Sequence, residues 1–167
     1  MDEVELVPVA HDDKAVLGRL IQLYRYDFAS IRGYELDERG MIPYRYLDRY
    51  FGEPHREACF IRHRGNLAGF TMTSALDAEV RGVSEFFVVR HHRRQGVGRR
   101  AAGTMFRRHP GRWMLQFDAA NSEAVAFWPV VAVALAAGVV ESRPKAATSA
   151  FPGTELRFEV TPRAVYS

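Results

Sequence analysis

The sequence predicts a single α/β (α+β) domain over residues 1–167, with a mixed sheet and helices on both faces. The length of 167 residues suits one domain. An apolar fraction of 47% is enough for a real core. The order of periodicities completes the argument. Strand-like segments come first as a hairpin and then alternate with helical ones, which gives a mixed sheet flanked by helices.

Residues 3–9, "EVELVPV", alternate as a half-buried strand does. Asp12 or Asp13 can cap the helix that follows. In it Val16, Leu17, Leu20, Leu23, Tyr24 and Phe28 recur at helical spacing. Residues 30–43 are polar, contain Gly33 and Gly40, and read as a long loop. Residues 44–51 read as a short helix, stopped by Gly52 and Pro54. Residues 58–64 and 67–75 flank "RGN" and read as a hairpin, with glycine supplying the positive φ of the turn. Residues 82–89 are β-branched and aromatic, the composition of a buried strand. A helix is expected over residues 95–108, with Val97, Ala101, Ala102, Met105 and Phe106 on one face and "HPG" as its stop. Residues 112–118 form the next strand, Asn121 or Ser122 caps a helix running through Phe127, and residues 154–160 close the sheet.

Composition narrows the function. The single cysteine, Cys59, excludes an internal disulfide and points to a reducing compartment. The start carries acids and no basic, apolar leader, so a cytoplasmic location is expected. Residues 124–140 hold no charge, but the run is short and contains Pro129 and Gly138. It is expected to be buried core and not a membrane span. The net charge of +3 is small for a dedicated nucleic-acid binder. Its distribution is uneven: no acid lies between Glu85 and Asp118, while eight arginines do. Such a field favours an anionic partner.

The central motif is strand, basic glycine loop, helix: "SEFFVV", "RHHRRQGVGRR", "AAGTMFRRH". A helix start offers unpaired N–H groups and the positive end of a dipole, and a phosphate sits there favourably. Gly96 and Gly98 let the backbone approach an anion, and Arg93, Arg94 and Arg99 can add charge-assisted hydrogen bonds. The spacing matches neither a dinucleotide fingerprint nor a nucleotide P-loop.

"RRQGVG", followed at a matching distance by "NSEAVAFW" with Asn121 and Ala124, resembles the GNAT acyl-CoA N-acyltransferases. The order of elements is similar over residues 3–160. The resemblance implies a mostly antiparallel sheet splayed between its fourth and fifth strands, with acetyl-CoA as co-substrate and no metal. It implies that main-chain groups of Phe87, Val88 and Val89 pair with the pantetheine arm and that the Val88 N–H polarises the thioester carbonyl. The backbone of Arg94, Gln95, Gly96, Val97, Gly98 and Arg99 would cradle the pyrophosphate. Asn121 would bond the pantetheine, and Phe127 and Trp128 would wall the slot.

Glu85, on the strand beside the reaction centre, is the candidate general base; it would serve equally as an ion-pair partner of a nearby arginine. The family's tyrosine acid is replaced by Trp128, which leaves Tyr24, Tyr26, Tyr44, Tyr46 or Cys59 to protonate the thiolate, or no dedicated acid at all. Six of the seven tyrosines lie between residues 24 and 50, among several acids. In this fold that segment walls the acceptor. Tyr26, Tyr34 and Tyr44 are therefore expected to face a small amine or peptide, through cation–π and ionic contacts. The expected activity is N-acetyl transfer to a primary amine, with no nucleic-acid and no membrane partner, and with a homodimer left open. The alternatives are a catalytically weak acyl-CoA binder and, from a different class, a nucleic-acid module using residues 90–108.

Overall fold

In the computed structural model, which describes residues 3–162, seven strands form one sheet in the order β1-β2-β3-β4-β5-β7-β6. They are β1 (Val4–Pro8), β2 (Arg56–His63), β3 (Asn66–Ala75), β4 (Val80–Val88), β5 (Gly111–Asp118), β6 (Glu141–Pro144) and β7 (Gly153–Val160). The helices are α1 (Lys14–Arg32), a single turn α2 (Arg49–Gly52), α3 (Val97–Arg108) and α4 (Ser122–Leu135). Every strand pairing is antiparallel except β4 with β5.

Two faces of the sheet carry separate cores. Leu17, Leu20 and Ile21 of α1 pack on Phe60, Phe70, Met72 and Phe87. On the other face α3 and α4 bring Phe106, Trp128 and Val131 onto Trp113, Leu115 and Phe158. Burial of these side chains, about 25 cal/mol per Å² of apolar surface, is the main force holding the layers.

Several expected boundaries move. α1 runs four residues past Phe28, to Arg32, and ends where Gly33 takes φ 65° and donates its N–H to the Ala29 carbonyl. The expected helix over residues 44–51 shrinks to α2. Gly96, at φ 74°, is the N-cap of α3, so the helix starts at Val97 and not at Gln95. α4 continues through Pro129, because Trp128, Val131 and Ala132 on its inner face are buried. β6 has no counterpart among the expectations. Its "ESRP" lacks any apolar alternation, and all four residues are exposed on a sheet edge.

Two bulges shape the centre. Met72 pairs with Glu85 and Thr73 with Val83, so Ser84 is an extra residue in β4. It shifts the alternation: Val83 and Phe86 both pack toward α3 and α4, while Phe87 packs toward α1. In β3, Ala68 is the extra residue between Gly69 and Leu67.

Candidate active site

β4 and β5 pair only over Val80–Gly82 and Arg112–Met114. Beyond Gly82, β4 runs on to Val88 with no partner on that side, so the sheet opens into a wedge. The Val89 N–H donates to the Ala68 carbonyl at 2.8 Å, and the Val89 carbonyl accepts from the His92 N–H at 2.9 Å. A Cβ at Gly69 would stand 2.0 Å from the Phe87 carbonyl oxygen. The Phe87 carbonyl and the Val89 N–H therefore face β3. Strand alternation turns the Val88 N–H the other way, toward the open wedge. Of the three residues expected to pair with pantetheine, Val88 is the one with a main-chain donor on that edge. Its carbonyl accepts from Arg93 Nε at 2.7 Å.

The basic loop leads from β4 into α3. A 3-10 turn at Arg90–His92 is followed by left-handed backbone at Arg94 (φ 61°) and Gly96 (φ 74°). Among the described residues no side chain caps α3, so its first N–H groups are offered to an external acceptor. A Cβ on Gly98 would lie 3.3 Å from Phe127, which puts that glycine where α3 meets the Phe127 ring. Much of the positive charge is already matched. Asp27 of α1 accepts from Arg90 at 2.7 Å and from Arg93 at 2.5 Å, and Arg93 also reaches Glu123 at 3.4 Å. Arg108 pairs with Glu57 and Arg112 with Glu79. Arg94, Gln95 and Arg99 stay exposed around the helix start. Beneath the loop, His92 Nδ1 lies 3.0 Å from Nδ1 of buried His63 on β2. Burial, then His91 and His63, keep His92 below its usual range.

The α3/α4 side of the wedge is aromatic. Phe86 stacks on Phe127 (5.8 Å between centroids) and meets Trp128 edge-on at 5.1 Å. Phe127 is half-buried, whereas Trp128 is part of the core. Asn121 caps α4, its Oδ1 accepting from the Ala124 N–H at 3.1 Å. That bond places Ala124 at the helix start.

The α1 side is polar. Half-buried Glu85 accepts from Tyr24 Oη at 2.5 Å on Oε2 and from Tyr44 Oη at 3.4 Å on Oε1. Burial pushes its carboxyl above the ordinary range. The Tyr24 hydrogen bond, the Arg25 charge and the Tyr44 hydrogen bond pull it down without offsetting that. Both phenols are pushed up, by burial first and by the Glu85 charge second. Tyr24 is held edge-on against Phe28 and Phe70. Arg25 lies over the Tyr34 ring at 4.0 Å and 5.9 Å from the Tyr44 centroid. Tyr44 also lines a cavity of about 390 Å³ between α1 and residues 37–47.

The model of the "Acetyltransferase (GNAT) family" matches residues 20–129. The chain belongs to the GNAT family. Solved structures agree in fold. An acetyltransferase from Thermus thermophilus is 20% identical, with TM-score 0.71 over 96% of this chain and 100% of that one. Aminoglycoside acetyltransferase AAC(6')-Ib in complex with coenzyme A is 12% identical, with TM-score 0.65 over 94% of this chain and 95% of that one. A GNAT acetyltransferase from Elizabethkingia anophelis with acetyl-CoA bound is 10% identical, with TM-score 0.58 over 96% and 100%. No curated protein matches the sequence.

Set in the GNAT fold, the candidate residues fall into two groups. Val88 lies on the open edge, Phe127 stacks on Phe86 and meets Gly98 of the loop, and Asn121 caps α4. Glu85 and Tyr44 adjoin the wedge from the α1 side. Tyr26 is exposed on α1 and touches neither group. Tyr34 contacts Arg25 and not Glu85. Cys59 is buried on the sheet face opposite Phe60, and burial pushes its thiol up to about 11. The tyrosine faces are largely filled by the chain's own arginines: Arg25 on Tyr34, Arg45 and Arg49 on Tyr46, and Arg56 on Tyr50. Asp27, one of the acids expected in the acceptor wall, is instead paired with Arg90 and Arg93 of the loop. Its signal was its place one helical turn from Tyr24, on the side of α1 that meets the loop. Among the described residues no cluster of His, Cys, Asp and Glu is arranged to hold a metal, and no helix is long and apolar enough to cross a membrane.

Proposed function

We propose that this GNAT protein is an acetyl-CoA-dependent N-acetyltransferase acting on a primary amine of a small molecule or peptide. The observation that carries the reading is the position of Glu85. It is a half-buried carboxylate with no arginine or lysine on it, held above the ordinary carboxylate range, three residues from the open edge at Val88. Helix-start N–H groups of Val97, Gly98 and Arg99 hold the CoA pyrophosphate, with Arg94 and Arg99 adding charge. The amine nitrogen attacks the thioester carbonyl carbon and gives its proton to Glu85. The Val88 N–H stabilises the oxyanion as the carbon–sulfur bond breaks. The thiolate takes its proton from solvent, because Trp128 stands at the acid position and its indole lies in the core.

That substitution also favours a second reading, an acyl-CoA binder with little turnover. Calorimetric titration with acetyl-CoA, followed by thiol release with a panel of amines, separates the two. Binding with thiol release supports transfer, and binding without release supports the second reading. Absence of binding at millimolar acetyl-CoA would overturn both. The nucleic-acid alternative is disfavoured by the acids of Asp27, Glu57 and Glu79 that neutralise Arg90, Arg93, Arg108 and Arg112.

A further inference from the structure

Arg25 stands apart from the other arginines around the site. Arg32, one helix end away, forms a two-pronged bond with Asp118. Arg90 and Arg93 share Asp27. Arg25 has no carboxylate partner among the described residues. Its one hydrogen bond is from Nη2 to the Pro43 carbonyl at 3.1 Å, and its Nε–H is buried without an acceptor. A guanidinium has five N–H donors, so most of its capacity is unspent. The group is nevertheless fixed, stacked on Tyr34 and bounded by Tyr44. Its charge is felt at Glu85, Tyr24 and Tyr44 alike. The Tyr44 phenol is the divider: its hydroxyl points to Glu85 and its ring lies toward Arg25. Pro43 and Tyr44 both line the cavity beside α1.

We infer that Arg25 is a specificity-determining residue, and that the acceptor carries an anionic group as well as its primary amine, about one phenol ring away. The amine meets Glu85 and the anion meets Arg25. Charge-assisted, forked hydrogen bonding to a carboxylate or phosphate is what an immobilised guanidinium without a carboxylate partner does best. The expectation of a purely cationic acceptor on an aromatic wall is revised accordingly, since Arg25 already occupies the Tyr34 face. The inference rests on the N-acetyltransferase reading for the amine half of the site only.

The test uses matched amines in the thiol-release assay: β-alanine against n-propylamine, and O-phosphoethanolamine against ethanolamine. The anionic member is expected to have the higher kcat/KM, by about ten- to a hundredfold. The pair with the larger gap identifies the anion as carboxylate or phosphate. Arg25→Gln should erase the gap by raising KM for the anionic acceptors and not for the neutral ones, while any change in kcat through the lost charge near Glu85 falls on both members alike. Arg25→Lys should keep part of it. Equal use of both members, or a gap that persists in Arg25→Gln, overturns the inference. If the protein binds acetyl-CoA but releases no thiol with any amine, the transferase reading fails. The anion site is then tested by titrating β-alanine and O-phosphoethanolamine into the CoA complex. Binding to the wild type and not to Arg25→Gln upholds the site; equal binding, or none to either, overturns it.

Discussion

Two strand glutamates, Glu85 on β4 and Glu155 on β7, occupy opposite electrostatic surroundings. Glu155 is buried but receives Arg157, Gln116 and Arg143, each at 2.8 Å. Burial pushes its carboxyl up, and those hydrogen bonds outweigh it, bringing it down to about 2. Glu85 receives two phenols and no cation in contact, and burial wins. The pairing around Glu155 satisfies a charge and ties β5, β6 and β7 together. The pairing around Glu85 leaves a carboxylate that gains by taking a proton. The one is held ionised by cations, the other is held by two phenols, three residues from the open edge at Val88.

The most forceful way to break this comparison is to neutralise both. Glu85→Gln is expected to lower kcat by about 10²- to 10⁴-fold, the usual share of a general base, with acetyl-CoA affinity unchanged. Unchanged turnover in a thiol-release assay would remove Glu85 from the chemistry. Next comes Gly69→Ala. Its Cβ would meet the Phe87 carbonyl at 2.0 Å and push β3 from β4, at a cost of about 1–3 kcal/mol by thermal unfolding. The same displacement moves Val88, so acetyl-CoA affinity should fall with it.

Glu155→Gln should act on stability alone, by about 1–2 kcal/mol after allowance for its half-exposed arginine partners. Turnover per folded molecule should stay at the wild-type level. The two residues also differ in sign with pH. A lowered carboxylate contributes stability that is present above its ordinary value of 4.5 and lost as pH falls toward 2. A raised one is a penalty that grows as pH climbs past 4.5, so Glu85→Gln should raise the Tm most at neutral pH and least in acid. The smallest expected effect belongs to Tyr24→Phe. Loss of a hydrogen bond that lowers the Glu85 pKa should move the acidic limb of the pH–rate profile upward, by about one pH unit or less. A limb that stays in place would detach Tyr24 from Glu85.

The loop was the most legible part of the chain. Gly96 and Gly98 between a buried strand and an amphipathic helix announce a phosphate-sized turn, and the left-handed φ of Gly96 is the kind of backbone only such a residue adopts easily. Asn121 was legible as a helix cap because Asn before Ser-Glu-Ala is a local signal. β6 was not, since an exposed edge strand of "ESRP" carries no period to read. The Ser84 bulge was equally silent. Simple alternation places Val83, Glu85 and Phe87 on one face, yet Val83 packs with Phe86 on the other. Nothing local marks Arg25: Tyr34 and Pro43 come onto it across a loop.

The sequence by itself determined the family, the order of elements and the place of the basic glycine loop, because these depend on residues near one another in the chain. Tertiary structure alone decided which charges are spent. Asp27, 63 and 66 residues from Arg90 and Arg93, cancels two arginines that looked available. Tyr24, 61 residues from Glu85, holds a carboxylate that looked free to pair with them. The physical reason is range: helix and turn signals act within a few residues, whereas a buried charge is set by whatever packing brings within hydrogen-bond reach.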